Sequence, residues 1–297
     1  MSAPRALITG GGGQLGTDFE RLLEDSWEVA APRRSELDVT DDDAVAREFE
    51  RHRPEVVFNC AAFHNVDLCE TEEDRAFEVN ARAVKRLAEG CTATGAKLVH
   101  FSTNYVFDGT REEPYHEDDR PFPRSAYAAS KLAGEYLALA YSPNALVVRT
   151  AGLYGLHGSG SKGGNFITRV LAKARDQGAI RMVADQRLTP TFTSDLAAAV
   201  LSAAVDKEAR GLLHLTSSGA CSWHEFTLAT MELAGLEVPV AAVETRPSPG
   251  VAQRPLNGVL ARPAADALGL EPLRHWRDAL ADYMRLAGLK ARSPTIT

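Results

Sequence analysis

The sequence predicts an α/β fold: a doubly wound parallel sheet with helices on both faces, followed by a smaller C-terminal lobe. Three observations carry this. Short apolar runs alternate with amphipathic helical stretches through the first two thirds of the chain. A glycine cluster, Gly10 to Gly13, separates the first apolar run from the first helix. The final third then breaks the rhythm, with four prolines between Pro239 and Pro255 and no clear helix there.

In chain order, Arg5 to Thr9 reads as a short strand and Gln14 to Leu23 as a helix with Leu15, Phe19, Leu22 and Leu23 on one side. Glu28 to Ala31 is a second strand, Asp41 to His52 a helix, Val56 to Phe58 a buried strand, Glu73 to Thr94 a long helix, and Leu98 to Phe101 a fourth strand. Ser125 to Tyr141 is helical, and Ala145 to Arg149 is a strand rich in Val and Leu. Gly152 to Gly164, dense in Gly and Ser, reads as a mobile loop over a site. Helices follow at Phe166 to Gln177 and Ser194 to Val205, and Ser222 is a candidate cap for a helix starting at Trp223. Arg274 to Leu286 closes the chain as an amphipathic helix bearing Trp276, Leu280, Tyr283 and Met284. Residues 1–150 are expected to form mainly the sheet domain and 151–297 mainly the lobe, with segments such as Leu212 to Thr216 returning to the main sheet.

A chain of 297 residues can bury its own core without disulfides or structural metals. Its net charge is −7 and its 33 basic residues are scattered, which argues against a nucleic-acid surface. Cys60, Cys69, Cys91 and Cys221 lack zinc-type spacing, and the opening segment carries neither a signal-peptide core nor a spanning helix, so a cytoplasmic protein without membrane association is expected. The eight histidines form no compact ligand set. Asp67 and Glu70, on a turn entering a helix, are expected to cap backbone N–H groups or shape a site, and no metal is expected.

Gly10, Gly13 and Gly16, with Gln14 and Leu15 between them, join a strand to a helix. Glycine permits positive φ and lets a pyrophosphate approach the free N–H groups of a helix N-terminus, which points to a Rossmann-type dinucleotide loop. The spacing is wider than the common fingerprint, so the weight rests on the strand and helix around it. Arg33 and Arg34 stand where an NAD-selective site usually has a carboxylate. Their guanidinium groups suit a ribose 2′-phosphate, which makes NADPH the expected cofactor and NADH the alternative; solvated surface arginines are the plain reading. Asp38, followed by Val39, is placed to meet the adenine edge, and Ala61 and Ala62 let a cofactor lie against backbone.

Tyr127 and Lys131 are four apart and project from one helix face, beyond the fourth strand, where a crevice at the strand C-termini should lie. A carbonyl that accepts hydride develops negative charge on oxygen, and a phenol with pKa near ~10 is a sluggish acid or base at neutral pH. A neighbouring ammonium is expected to lower that pKa, and Lys131 also suits the hydroxyls of the nicotinamide ribose. Ser102 and Thr103 close the fourth strand, so that a hydroxyl there faces the same crevice, either as a donor to the substrate carbonyl or as a simple cap.

These residues resemble the extended short-chain dehydrogenase/reductase superfamily and, within it, the dTDP-4-dehydrorhamnose reductase family. The resemblance runs through the glycine loop, Asn59 to Ala62, Val66 and Asp67 with Glu70, Ser102 to Gly109, Tyr127 to Glu135, Gly164 to Phe166, Asp185 to Thr191, Arg254 and Pro255, and Leu273 to Tyr283. It implies reduction of the C4 ketone of a dTDP-6-deoxy-4-ketohexose, giving dTDP-L-rhamnose, with NADPH or NADH. Tyr127 is then the proton donor, Lys131 orients the cofactor and tunes the tyrosine, and Thr103 bonds the reacting oxygen. Asn80 joins the cofactor-binding set, and Asn104, Asn165, Gln186, Thr191 and Arg254 the substrate-binding set, with a lobe-packing salt bridge as the equal reading for Arg254. A homodimer is also implied. Asn104 stands where the family commonly has Asp, and Gly152 lies in a stretch that commonly carries Trp, so a related nucleotide-linked ketosugar is the alternative substrate. A non-catalytic subunit like that of methionine adenosyltransferase and an epimerase or dehydratase are the readings outside this activity; Tyr127, Lys131 and Thr103 argue against the first, and Asn104 and Tyr105, in place of an acid pair, against the second.

Overall fold

The computed structural model describes residues 3–157, 164–206, 208–246, 248 and 250–289. Six strands build the main sheet: β1 (Arg5–Thr9), β2 (Glu28–Ala30), β3 (Val56–Asn59), β4 (Lys97–Thr103), β5 (Leu146–Thr150) and, from far along the chain, Gly211–His214. All pair in parallel, in the order β2, β1, β3, β4, β5 and then Gly211–His214. The chain leaves β1 for β2 on one side and returns to β3 on the other, so the strand order reverses between β1 and β3. In doubly wound sheets ligands bind at such a reversal, outside the strand C-termini.

Alternation along the strands sorts their side chains onto two cores. Ala6, Ile8, Val56, Phe58, Val99, Phe101, Leu146 and Val148 pack on one face with Leu15 and Phe19 of α1 (Gln14–Leu23). Leu7, Val57, Leu98 and Val147 point the other way, against Val45 and Phe49 of α2 (Asp42–His52) and the apolar face of a helix at Ala83–Thr94. A period of two in the sequence thus becomes two layers of helix over one sheet.

The long helix expected over Glu73 to Thr94 is interrupted. After α3 (Val66–Cys69) come α4 (Glu73–Phe77), a π-helical turn at Glu78–Arg82, and α5 (Ala83–Thr94). The extra residue in the wide turn swings Asn80 inward, where its Oδ1 accepts from Phe63 N (2.8 Å) and its Nδ2 donates to Phe63 O (2.9 Å) and Ser130 Oγ (3.0 Å). Ser130 belongs to α6 (Ala126–Tyr141), which Asn80 therefore anchors.

The stretch Gly152 to Gly164 is only partly a loop. Leu153–Tyr154 forms β6, which pairs in parallel with Thr191–Phe192. Residues 158–163 of the expected mobile loop lie outside the described residues, as do Pro247 and Pro249. The lobe continues with α7 (Phe166–Gln177), β7 (Ile180–Val183), β8 (Arg187–Leu188) and β9 (Thr191–Phe192), and α8 (Thr193–Val205) returns to the main sheet, where Leu196 and Val200 share the core of Leu15 and Phe19. After β10 (Gly211–His214) come β11 (Cys221–Ser222), α9 (Trp223–Ala234), β12 (Val240–Val243), α10 (Pro263–Ala267) and α11 (Trp276–Leu286). Ser222 caps α9 in a reciprocal box with Glu225. Tyr154, Phe192, Phe226, Trp276 and Tyr283 form the lobe's aromatic core. Among the described residues no helix is long and apolar enough to cross a membrane.

Gly134 marks where α6 presses closest on the π-turn. A β-carbon there would stand 2.1 Å from Asn80 O. Gly134→Ala is expected to cost about 1–3 kcal/mol of unfolding free energy by overpacking. Urea denaturation measures this, and an unchanged midpoint would show that the helix can shift freely.

Candidate active site

The glycine loop is shaped by close approach. Gly10 has φ +71°, and a β-carbon on it would lie 2.8 Å from Ala61 N; one on Gly16 would lie 2.6 Å from Gly10 O. Gly13 begins α1 without a side-chain cap, so the helix presents its first N–H groups to the crevice instead of spending them on a neighbouring hydroxyl. Arg33 is exposed, with its side chain over Gly12. Arg34 turns aside to Asp38 (3.9 Å), whose carboxyl is held below its usual pKa by hydrogen bonds from Thr40. Val39 is buried in the core below. Gln14 Oε1 accepts from Gly155 N (3.0 Å), tying the lobe's first residues over the loop, and Leu15 packs into the core. These residues fit a dinucleotide: a cradle without side chains, a helix N-terminus and a guanidinium at its edge.

α6 carries the side chains expected to be catalytic. Ser125 caps it by accepting from Ala128 N (3.2 Å), and Glu70 Oε1 accepts from Ala126 N (2.8 Å). Asp67 is used similarly, accepting from Ala252 N (3.0 Å). This is the capping and site-shaping reading given above for the two carboxylates.

Tyr127, Lys131 and Glu135 follow at four-residue intervals on one face. Tyr127 is hydrogen-bonded to Thr103 at the end of β4 and lies edge-on to Tyr105, with ring centroids 5.9 Å apart. The Thr103 hydroxyl also caps the following 3-10 turn, accepting from Tyr105 N (3.2 Å). Burial pushes the Tyr127 phenol well above its ordinary pKa, and the hydrogen bond from Thr103 only partly offsets this. The expectation that Lys131 lowers the Tyr127 pKa is therefore corrected: desolvation wins.

Lys131 is itself buried, and its pKa falls to about 8, chiefly through desolvation, although the charge of Glu135 works the other way. Its ammonium meets His100 Nε2 (3.4 Å). Glu135 is held in a fork by Arg149, Nε to Oε1 at 2.9 Å and Nη2 to Oε2 at 2.7 Å, and Ser102 Oγ donates to the same carboxylate. Both side chains of that ion pair are at most 3% exposed, so each needs the other.

The five residues expected to meet substrate are spread along the seam between sheet and lobe, and their polar atoms are engaged inside the protein. Asn104 donates to Gly258 O (3.0 Å). Asn165 caps α7 and donates to Gly155 O and to Tyr283 Oη. Gln186 donates to Thr245 Oγ1, and Thr191 donates to Thr189 O while accepting from Ser217 N. Arg254 forks onto Asp67 at 3.0 and 2.8 Å and also bonds Tyr105. Gly152, at φ +56°, is tucked so tightly that a β-carbon would lie 2.8 Å from Leu188 Cδ1.

The family described as the RmlD substrate binding domain matches residues 4–288. The chain is 39% identical to a dTDP-4-dehydrorhamnose reductase of Streptomyces griseus, over 97% of this chain and 96% of that protein. It is 38% identical to a dTDP-4-keto-6-deoxy-D-glucose reductase of Streptomyces niveus, over 95% and 97%. The chain belongs to the dTDP-4-dehydrorhamnose reductase family. The crystal structure of dTDP-4-dehydrorhamnose reductase from Bacillus anthracis in complex with NADP superposes with a TM-score of 0.90 at 31% identity, covering 96% of this chain and 99% of that one. This member is accordingly an oxidoreductase of the reductase type, with an NAD(P)-binding Rossmann-type domain.

Sequence reasoning gave no role to His100, Asn59, Glu135, Arg149 or Tyr105. His100 left a local trace, a polar residue inside the apolar run Leu98 to Phe101, and Glu135 another, four residues beyond Lys131. Arg149→Met is expected to cost about 3–5 kcal/mol by stranding a buried carboxylate, and Glu135→Met added to it to recover most of the loss. Denaturant unfolding of the two variants checks this, and a single variant as stable as wild type would contradict the pairing.

Proposed function

We propose that this enzyme reduces the C4 ketone of dTDP-4-dehydro-6-deoxy-L-mannose (dTDP-4-dehydrorhamnose) to dTDP-L-rhamnose, with NADPH as cofactor. The observation that carries the reading is the meeting of the Tyr127 and Thr103 hydroxyls at the C-terminal end of β4, in a chain of this family. NADPH, when bound, supplies the hydride. As C4 gains it, the carbonyl oxygen becomes an alkoxide. Thr103 donates a hydrogen bond to that oxygen, and Tyr127 gives up its phenolic proton to form the alcohol. Lys131 holds the ribose hydroxyls and stands by to stabilise the phenolate left on Tyr127. The backbone of Gly10, Gly13, Gln14, Leu15 and Gly16 would cradle the pyrophosphate, Arg33 would take the 2′-phosphate, Asp38, Ala61, Ala62 and the backbone of Val39 would border the adenosine, and Asn80 fixes α6.

Asn104, Asn165, Gln186 and Thr191 serve substrate by holding the pocket's walls together. Arg254 keeps part of its guanidinium exposed beside Asp67, and a diphosphate could share it. A second reading, reduction of a different dTDP-linked deoxysugar, is favoured by Asn104 and Gly152: the amide of one is committed to Gly258 O, and the other has no side chain and no room for one beside Leu188, so neither grips the sugar. A coupled assay offering both 4-ketosugars with product identification separates the readings.

Tyr127→Phe is expected to lower kcat by about 100-fold or more while leaving the Kd for NADPH within about twofold. Near wild-type turnover would remove Tyr127 from this role. Arg33→Ala should weaken NADPH by about tenfold or more and leave NADH unchanged; equal loss for both cofactors would argue against the 2′-phosphate contact. Because Lys131 is protonated below about 8 and neutral above it, NADPH affinity is expected to fall as pH rises through that value. The decline should vanish in Lys131→Met, and a flat wild-type profile from pH 6.5 to 9.5 would contradict it.

A further inference from the structure

Behind Lys131 runs a buried polar chain that the reaction above does not use. Thr9 Oγ1 lies 2.7 Å from Asn59 Oδ1, Asn59 Nδ2 lies 3.0 Å from His100 Nδ1, and His100 Nε2 lies 3.4 Å from Lys131 Nζ. Thr9, Asn59 and His100 are each at most 2% exposed. They stand side by side on β1, β3 and β4, so the chain crosses the three central strands and ends under the crevice. Thr9 Oγ1 also accepts from Ala61 N (3.4 Å), at the edge of the expected cofactor site.

The chemistry of these groups leaves one consistent arrangement while Lys131 is an ammonium. An ammonium only donates, so Nε2 must present a lone pair. Burial, and secondarily the Lys131 charge, hold the His100 pKa well below its usual value, so the ring is neutral and carries a single N–H. That N–H is then on Nδ1, and Asn59 must offer it an oxygen. Half a turn of the Asn59 amide does so without moving a heavy atom, and directs its NH2 to Thr9 Oγ1. The Lys131 ammonium, the His100 Nδ1–H and the Asn59 amide then each face an acceptor, and Thr9 Oγ1 accepts from both Asn59 and Ala61 N. The other tautomer sets two donors against each other at Lys131 unless the lysine is neutral.

We propose that His100 is a positioning residue for Lys131: held as the Nδ1–H tautomer by Asn59 and Thr9, it accepts a hydrogen bond from the ammonium and keeps the lysine charged and aimed at the crevice. The ionisable groups that act on Lys131 alongside it are Glu135 from α6 and Cys60 from the end of β3. Glu135 is spoken for by Arg149 and Ser102, which leaves His100 as the neutral acceptor at the ammonium itself. The proposal rests on the reading of Lys131 given under the proposed function, but its first two tests use neither ketosugar nor cofactor turnover.

The sequence holds seven lysines, few enough to resolve by NMR of protein labelled with 13C at lysine Cε, with Lys131 assigned through Lys131→Arg. Removing the acceptor in His100→Leu is expected to move the Lys131 midpoint down by about one unit from wild type, and Asn59→Asp to move it up, because a carboxylate adds negative charge behind the ring. A purely structural role would lower stability in these variants without moving the midpoint, and a folded His100→Leu protein with an unmoved midpoint overturns the proposal. Wild-type protein labelled with 15N in histidine gives a test that needs no variant: below pH 7, Nε2 of His100 should show the shift of an unprotonated nitrogen, and a protonated Nε2 there overturns the proposal even if no variant folds. In the ketosugar assay at pH 7 and saturating NADPH, His100→Leu should lose about twofold in kcat, and more as pH rises toward 8, with the ketosugar KM within about twofold, and His100→Gln, which restores an acceptor, should recover most of it. If the midpoint and tautomer behave as expected while no ketosugar is reduced, the proposed function fails and the positioning of Lys131 stands.

Discussion

Everything at the catalytic end of this molecule depends on how one helix buries a charged face. α6 presses Tyr127, Lys131 and Glu135 against the C-terminal half of β4 and β5, and the last two are no more than 3% exposed. Burying an ammonium or a carboxylate without a partner costs several kcal/mol, so the sheet must answer each of them. Arg149 and Ser102 answer Glu135, His100 answers Lys131, and Thr103 answers Tyr127. The helix is fixed in rotation by these contacts and in depth by Gly134 against Asn80, which is why the tyrosine reaches the crevice in one orientation.

The sheet and its two layers were legible because they depend on local periodicity. Ala6 and Ile8 alternate with Leu7, and Val56 and Phe58 with Val57, and the two faces follow directly. The π-turn was not legible. Asn80 turns inward for the sake of the Phe63 backbone, seventeen residues earlier, and no pattern within the helix announces such a partner. The glycine loop and the pair Tyr127 and Lys131 could be read as motifs, since their spacing is set by a single turn or a single helix. The groups that answer them could not. His100 reaches Lys131 from 31 residues away, and Glu135 finds Arg149 across the boundary between a helix and a strand.

The substrate side shows the same limit more strongly. Asn104 was read as a lost charge, but its amide donates to a carbonyl 154 residues further on, which a carboxylate cannot do. Asn165 ties Gly155 to Tyr283, and Arg254 ties the lobe's last irregular stretch to Asp67 and Tyr105. These side chains join segments that the sequence keeps far apart, so the wall of the pocket and the packing of the lobe are one set of interactions. Substitutions along this seam therefore alter the position of the lobe as well as the surface it offers.

The raised pKa of Tyr127 bears on direction. A phenol activated toward phenolate would suit oxidation of an alcohol, where a base must take the proton. A phenol kept protonated by burial would instead serve the proposed reaction as its acid when the substrate oxygen becomes an alkoxide. The proton leaves only when a much stronger base has formed beside it, and the charge that then falls on Tyr127 lies one helical turn from a lysine whose pKa of about 8 keeps it largely cationic at neutral pH. In the proposed reaction desolvation would thus hold the acid in place beforehand, and the buried ammonium would stabilise what remains after it. Under the proposed function, the same burial that made both groups expensive to place keeps each in the protonation state that ketone reduction uses.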